Sequence, residues 1–192
     1  TMLNEIYPQI VNGVEEVADA MGYTVFIGNT YADRDRELAL MRQMIESGAE
    51  GIILEPTHAR FDQPGTPTYE FLHSLRLPLV LVGNDIPGLS ASEVLIEDYK
   101  GGYLAARYLT QKGHRRIAYI YKDSVIPAID RMNGYLAGLQ EAGISPDPDL
   151  VLAYAEEEER RDPGYLYTQK LLASGKAPTA IFYFNDDLAI NG

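Results

Sequence analysis

The stretch Arg116-Ile117-Ala118-Tyr119-Ile120-Tyr121, followed after a short connection by Arg131-Met132-Asn133-Gly134-Tyr135, decides the fold class. Its first part is a short apolar run rich in β-branched and aromatic residues, which suits a buried strand. Its second part lies in an amphipathic segment from about Pro127 to Ala142, which reads as a helix. Strand then helix is the repeating half of a βαβ unit, so a parallel sheet between helical layers is expected. An arginine just inside a helix that starts at the carboxyl end of a parallel strand can aim its guanidinium into a cleft rather than at bulk water.

The same alternation extends in both directions. Upstream, an amphipathic segment at about Tyr7 to Met21 precedes a strand at Tyr23 to Gly28, a helix at about Asp33 to Ser47 and a strand at Gly51 to Glu55. A helix near Thr68 to Arg76, a strand at Leu79 to Val82 and a short strand at Val94 to Glu97 follow. A second set opens with a helix from about Tyr99 to Gln111, capped by Asp98, in which Gly101 and Gly102 permit close packing. After the central strand and helix come a strand at Leu150 to Tyr154, a helix near Pro163 to Ser174, a strand at Ala180 to Phe184 and one helical turn at Asn185 to Ile190.

Several element ends carry a mechanism. Gly22 and Gly48 stand where a left-handed residue ends a helix, and Asp33 can accept from free amides at a helix start. Pro56, Pro64 and Pro67 make the segment after Glu55 a rigid surface loop. The reading is α/β with two subdomains, about 1 to 97 and 98 to 192. The abrupt start before Tyr7 and the half helix at the end suggest a piece of a longer protein.

Composition narrows the function classes. With 192 residues, 46% of them hydrophobic, the chain can bury a core. No apolar run approaches the roughly 20 residues that cross a bilayer, so a soluble chain is expected. The 28 Asp and Glu against 16 Lys and Arg, a net charge of -12, oppose binding to a phosphate backbone. Zero cysteines exclude disulfides and thiolate metal sites.

No enzyme motif is present: there is no Gly-x-Ser-x-Gly elbow, no phosphate-cradling loop with Lys-Ser/Thr and no His-Glu-x-x-His. His58, His73 and His114 do not fall at metal-ligand spacing, and His114 after Gly113 reads as a capping or surface residue. Neither a metal nor a cofactor is expected.

A set of polar residues falls at strand carboxyl ends or the helix starts just after them: Glu55, Asp98, Lys122, Arg131, Asn185 and Asp186. In open α/β sheets those ends form the ligand crevice. Carboxylates that accept, with Arg, Lys and Asn that donate, suit a polyhydroxylated ligand. Tyr7 or Tyr31 could lay an aromatic face on its C–H surface.

Each residue has a plainer reading. Asp98 and Asn185 are good N-caps, Glu55 can fix the turn at Pro56, and Lys122 with Asp123 can form a solvated pair. Arg131 can pair at the surface with Asp130 or with the acidic run Glu156 to Glu159, which itself reads as a solvated face. Tyr7 and Tyr31 can be ordinary half-buried aromatics.

Four segments together resemble the effector-binding domain of the lactose-repressor family, whose fold is that of periplasmic sugar-binding proteins. They are Asp98-Tyr99-Lys100-Gly101-Gly102 with Ala105-Ala106 and Leu109, Lys112-Gly113-His114-Arg115-Arg116-Ile117-Ala118-Tyr119-Ile120, Arg131-Met132-Asn133-Gly134-Tyr135, and Phe184-Asn185-Asp186-Asp187-Leu188-Ala189. Within that family the chain looks closest to the arabinose-repressor type, on Gly51-Ile52-Ile53-Leu54-Glu55-Pro56-Thr57, Lys100-Gly101-Gly102, Tyr121-Lys122-Asp123 and the Met132-Asn133 pair.

The resemblance implies a type I periplasmic-binding-protein-like fold of two three-layer subdomains, incomplete at both ends, with a sugar-sized cleft between them. It implies that Asp98, Arg131 and Asn185 contact the sugar, with Glu55 and Lys122 carried over from the narrower group. It further implies a cytoplasmic homodimeric transcription repressor, relieved by L-arabinose or a similar monosaccharide, that reads operator DNA through a separate N-terminal winged-helix module. No membrane is implied. A periplasmic sugar-binding component of a transporter shares the fold and is the second reading; a sugar-acting enzyme using Glu55 and Asp98 is the third.

Overall fold

A computed structural model describes residues 6–57, 62–155, 158 and 161–192. His58 and the Glu156, Glu157 and Glu159 of the acidic run lie outside the described residues. The chain divides into two compact units, Thr1–Leu95 and Ile96–Gly192.

The first unit contains helices α1 (Ile6–Ala20), α2 (Arg34–Glu46) and α3 (Pro67–Ser74) and strands β1 (Ile52–Leu54), β2 (Leu79–Val82) and β3 (Ser92–Val94). The strands form a parallel sheet in the order β1-β2-β3, with Ile52 opposite Leu79 and Val80 opposite Ser92. Its core gathers Met41 from α2, Ile52 and Leu54 from β1, Tyr69 and Leu72 from α3, and Leu81 from β2.

Helix ends in this unit follow the expected chemistry. Gly22 and Gly48 are left-handed, at φ +79° and +94°. At each, two backbone bonds close the last turn: Gly22 N–H to Asp19 with Tyr23 N–H to Ala18, and Gly48 N–H to Ile45 with Ala49 N–H to Met44. These pairs satisfy carbonyls the helix leaves free. Asp33 accepts from Arg36 N–H at 2.9 Å and caps α2.

Three local expectations are corrected here. The apolar run Tyr23 to Gly28 is not a strand: it enters no ladder among the described residues, and Tyr23, Phe26 and Ile27 stay about half exposed. Alternating apolar side chains supply surface to bury, but a strand also needs a hydrogen-bonded neighbour. The strand expected at Val94 to Glu97 lies at Ser92–Val94, because pairing with β2 sets its position rather than the apolar run Val94-Leu95-Ile96. Pro67 is not a loop residue but opens α3, where its missing N–H costs nothing, with Thr66 as the cap.

The second unit contains α4 (Asp98–Gln111), β4 (Ile117–Lys122), α5 (Ile126–Glu141), a 3-10 turn (Pro148–Leu150), β5 (Val151–Tyr154), α6 (Pro163–Ala173), β6 (Ala180–Tyr183) and α7 (Asp186–Asn191). Its parallel sheet runs β5-β4-β6, with β4 central. Five of the six β4 residues are buried, which a strand covered on both faces requires.

Alternation along β4 divides the core. Ile117 and Tyr119 pack with Ala106 of α4 and Tyr135 and Leu139 of α5. Ala118 and Ile120 pack with Leu150, Tyr154, Leu171 of α6 and Leu188 of α7. The unit is therefore a three-layer sandwich, α4 and α5 on one face and α6 and α7 on the other. Tyr119, fully buried, satisfies its hydroxyl on the Ala128 carbonyl at 2.8 Å, and Tyr135 does the same on Ile117 at 2.8 Å.

Helices α4 and α5 touch backbone to backbone. A Cβ on Gly102 would land on the Arg131 carbonyl, and one on Gly134 would land on the Tyr99 carbonyl. No helix among the described residues is long and apolar enough to cross a membrane.

Candidate functional site

In the second unit the close contact of α4 with α5 brings Asp98, first residue of α4, against Arg131. Arg131 Nε donates to Asp98 Oδ1 at 2.7 Å, and its Nη1 donates to the Phe184 carbonyl just past β6. Asp98 is 7% exposed and Arg131 27%. A guanidinium held at two nitrogens is fixed in direction, and Nη2 has no partner among the described residues. Such a group donates to a hydroxyl without losing side-chain freedom on binding.

Two sequence readings change at this point. Asp98 is not the cap of α4: the capping position is Glu97, whose side chain makes no capping bond, and the Asp98 carboxylate is directed to Arg131 instead. Arg131 does not sit at the helix start but five residues past Ile126, and its partner is Asp98 rather than the adjacent Asp130. Sequence proximity suggested the nearer acids; helix crossing chose the farther one.

Asn185 follows Phe184 and caps α7, accepting from Leu188 N–H at 2.9 Å through Oδ1. Its Nδ2 amide has no partner among the described residues, so the cap uses the acceptor and leaves the donor. Asn185→Asp is therefore expected to hold unfolding stability within about 0.5 kcal/mol, since Asp caps as well as Asn. Asn185→Ala is expected to lose about 1 kcal/mol in a denaturant melt.

Lys122 ends β4 and is only 8% exposed, which removes the solvated pair with Asp123 as its explanation. Asp186 is exposed in the first turn of α7, where a carboxylate suits the helix dipole. No bond joins it to Arg131.

In the first unit, Tyr7 of α1 donates to Glu55 Oε1 at 2.5 Å, just after β1. Desolvation raises the Glu55 carboxyl above its ordinary value, while the Tyr7 hydroxyl bond pulls it down. Tyr7 is itself raised, first by burial and then by the adjacent carboxylate. A carboxyl raised in the folded state binds its proton more tightly there than when unfolded. Its contribution to stability is therefore fullest below the ordinary value of 4.5 and falls as pH rises through the raised one. Glu55→Gln is expected to flatten that part of a stability-against-pH curve measured by urea melts.

Tyr31 is 65% exposed, left-handed at φ +53°, and its ring lies 5.1 Å under the Arg36 guanidinium. No bond joins it to the Tyr7–Glu55 pair among the described residues.

Sequence reasoning missed a polar group in the same unit. Glu37, 1% exposed on α2, accepts from Thr57 N–H at 2.7 Å, and Arg34 pairs with Asp62, also 1% exposed, at 2.5 Å. Asp62 Oδ2 and Asn84 Oδ1 are buried without a hydrogen-bond partner among the described residues. Glu37 lay in a run of charged residues, Arg34-Asp35-Arg36-Glu37, where nothing marked one acid as buried. The Phe184 carbonyl was equally invisible, being backbone.

Comparison with known proteins gives a consistent answer. The family model described as periplasmic binding proteins and sugar binding domain of LacI family matches residues 5–192. An arabinose metabolism transcriptional repressor of Geobacillus stearothermophilus is 32% identical over 186 residues, covering 96% of this chain and 51% of that protein. The transcriptional regulator GalR of Escherichia coli is 30% identical over 183 residues, covering 94% and 50%. Among solved structures, the transcription regulator GntR of Chromobacterium violaceum superposes with a TM-score of 0.82 at 26% identity, over 100% of this chain and 68% of that one. The chain spans about half the length of the curated relatives it matches.

Proposed function

The chain belongs to the family of periplasmic binding proteins and sugar-binding domains of the LacI family, and from that membership we propose that it senses a monosaccharide for a bacterial transcription repressor. The observation that carries the proposal is the Asp98–Arg131–Phe184 arrangement, which fixes a guanidinium and leaves one of its nitrogens free. L-Arabinose or a similar sugar is the effector we propose, because two relatives are arabinose metabolism repressors.

In this reading Arg131 and the Asn185 amide donate to ring hydroxyls, while Asp98 accepts from one through the oxygen that Arg131 leaves open. Lys122 is a further donor, and Glu55, with Tyr7 on it, a further acceptor. The repressor is a cytoplasmic homodimer that reads operator DNA through a separate N-terminal module. Sugar acts by population shift: only its difference in affinity between the DNA-binding and released states can move the equilibrium.

Calorimetry of the full-length protein with L-arabinose, other pentoses and hexoses tests this. Saturable heat with one of them, and release of operator DNA at the same concentrations, is the expected result. No heat with any monosaccharide would sink the sugar-sensor reading.

A further inference from the structure

The connection from Gly28 to α2 holds two consecutive residues in the left-handed region that are not glycine, Tyr31 at φ +53° and Ala32 at φ +59°. Crowding between Cβ and the following carbonyl disfavours that region for L residues, and a bulky side chain there is an outlier. Glycine or asparagine would form the same turn with less strain, so the turn itself does not call for a tyrosine. Strained positions of this kind persist only where the surroundings fix them, and they gather at ligand clamps.

The surroundings do fix this one. Asn29 Oδ1 accepts from Tyr31 N–H at 3.0 Å, and the Asn29 carbonyl accepts from Arg36 Nε at 2.9 Å. The Arg36 guanidinium, held in that way, covers one face of the Tyr31 ring. At 65% exposure the ring keeps its other face open. The preceding residue, Thr30, shares a hydroxyl bond of 2.9 Å with Thr57, whose N–H is anchored on the buried Glu37 carboxylate at 2.7 Å. Thr57 stands two residues after Glu55, so the turn is tied to the carboxyl end of β1, the end at which Glu55 accepts from Tyr7.

An aromatic side chain that is fixed before binding gives up little freedom when a ligand covers it. Its open face accepts an apolar surface, and a flat one matches it best. A cyclic sugar offers such a surface, since its C–H bonds line the faces of the ring and its hydroxyls the rim. An open-chain polyol carries the same hydroxyls without a fixed face. Resting on the sugar-sensor reading above, we propose that Tyr31 stacks on the sugar and selects the cyclic form of a monosaccharide over the open-chain polyol of the same hydroxyl pattern. The left-handed turn lowers stability in order to hold the ring out from the surface of the first unit.

The test is calorimetry of the full-length protein with L-arabinose, D-xylose and D-galactose, each beside its own alditol, together with urea melts. The bound aldose is expected to exceed its alditol in affinity by about tenfold. Tyr31→Asn suits the left-handed turn and removes the ring. It is expected to weaken aldose binding about tenfold and to erase most of the preference over the alditol, while the urea midpoint holds or rises. Tyr31→Phe, which keeps the ring, is expected to retain aldose affinity within about twofold. Unchanged aldose affinity in Tyr31→Asn, a loss that only follows a fall in the urea midpoint, or equal binding of aldose and alditol by the unsubstituted protein would overturn the stacking role and leave the sugar-sensor reading standing. Absence of heat with every aldose overturns both.

Discussion

Arg131→Ala is expected to lower sugar affinity by about a hundredfold or more. Two charge-assisted hydrogen bonds to hydroxyls contribute roughly 1.5–3 kcal/mol each, and about 1.4 kcal/mol is a factor of ten. The same change strips its cation from Asp98, a carboxylate only 7% exposed in the intact pair. Breaking a fully buried pair costs about 3–5 kcal/mol; with Arg131 partly open to water, about 2–3 kcal/mol of stability is the expected loss. Asp98→Asn separates the two effects. The amide oxygen still accepts from Arg131 Nε, so most of the fold's stability is retained while a charged acceptor for the sugar is lost. Calorimetry and urea melts on the two variants provide the check. Unchanged sugar affinity in Arg131→Ala would leave the Asp98–Arg131 pair a purely structural tie.

What the sequence reveals depends on whether the relevant physics is local. β4 is legible because a strand covered on both faces must be apolar along its length, and Ile117 to Tyr121 is. Helix ends are legible where one residue completes the motif, as at Gly22, Gly48 and Asp33. The run Tyr23 to Gly28 shows the limit: its apolar alternation is real, but strand status depends on a neighbour that the run cannot specify. At the site, the residue types at strand ends were legible and their partners were not. Asp98 has the composition of an N-cap, yet its carboxylate answers to Arg131, 33 residues away, because α4 and α5 cross there. Lys122 looked solvated beside Asp123 because burial at the end of a central strand is a property of the sheet. The Arg131 tie to the Phe184 carbonyl involves no side chain on one side, so no pattern of residue types could announce it.

That crossing gives adjacent glycines opposite roles. Gly101→Ala is expected to stabilise the protein by about 0.5–1 kcal/mol: a Cβ there meets nothing within 4 Å, and alanine is the better helix former. Gly102→Ala is expected to destabilise by at least about 3 kcal/mol, because its Cβ meets the Arg131 carbonyl and lies 2.7 Å from Arg131 Cα. Backbone cannot rotate aside as a flexible side chain can, so the helices must separate. The atoms struck belong to Arg131 itself, and separation draws its guanidinium from Asp98, so sugar affinity should fall with stability. Gly134→Ala strikes from the other helix, on the Tyr99 carbonyl and 2.7 Å from the Tyr103 nitrogen. Once one Cβ has parted the helices, the second finds space already made. The double variant Gly102→Ala with Gly134→Ala is therefore expected to lose less than the sum of the single losses. Guanidinium chloride melts of the four variants measure this directly, and a Gly102→Ala protein within about 0.5 kcal/mol of the unsubstituted one would refute the close crossing.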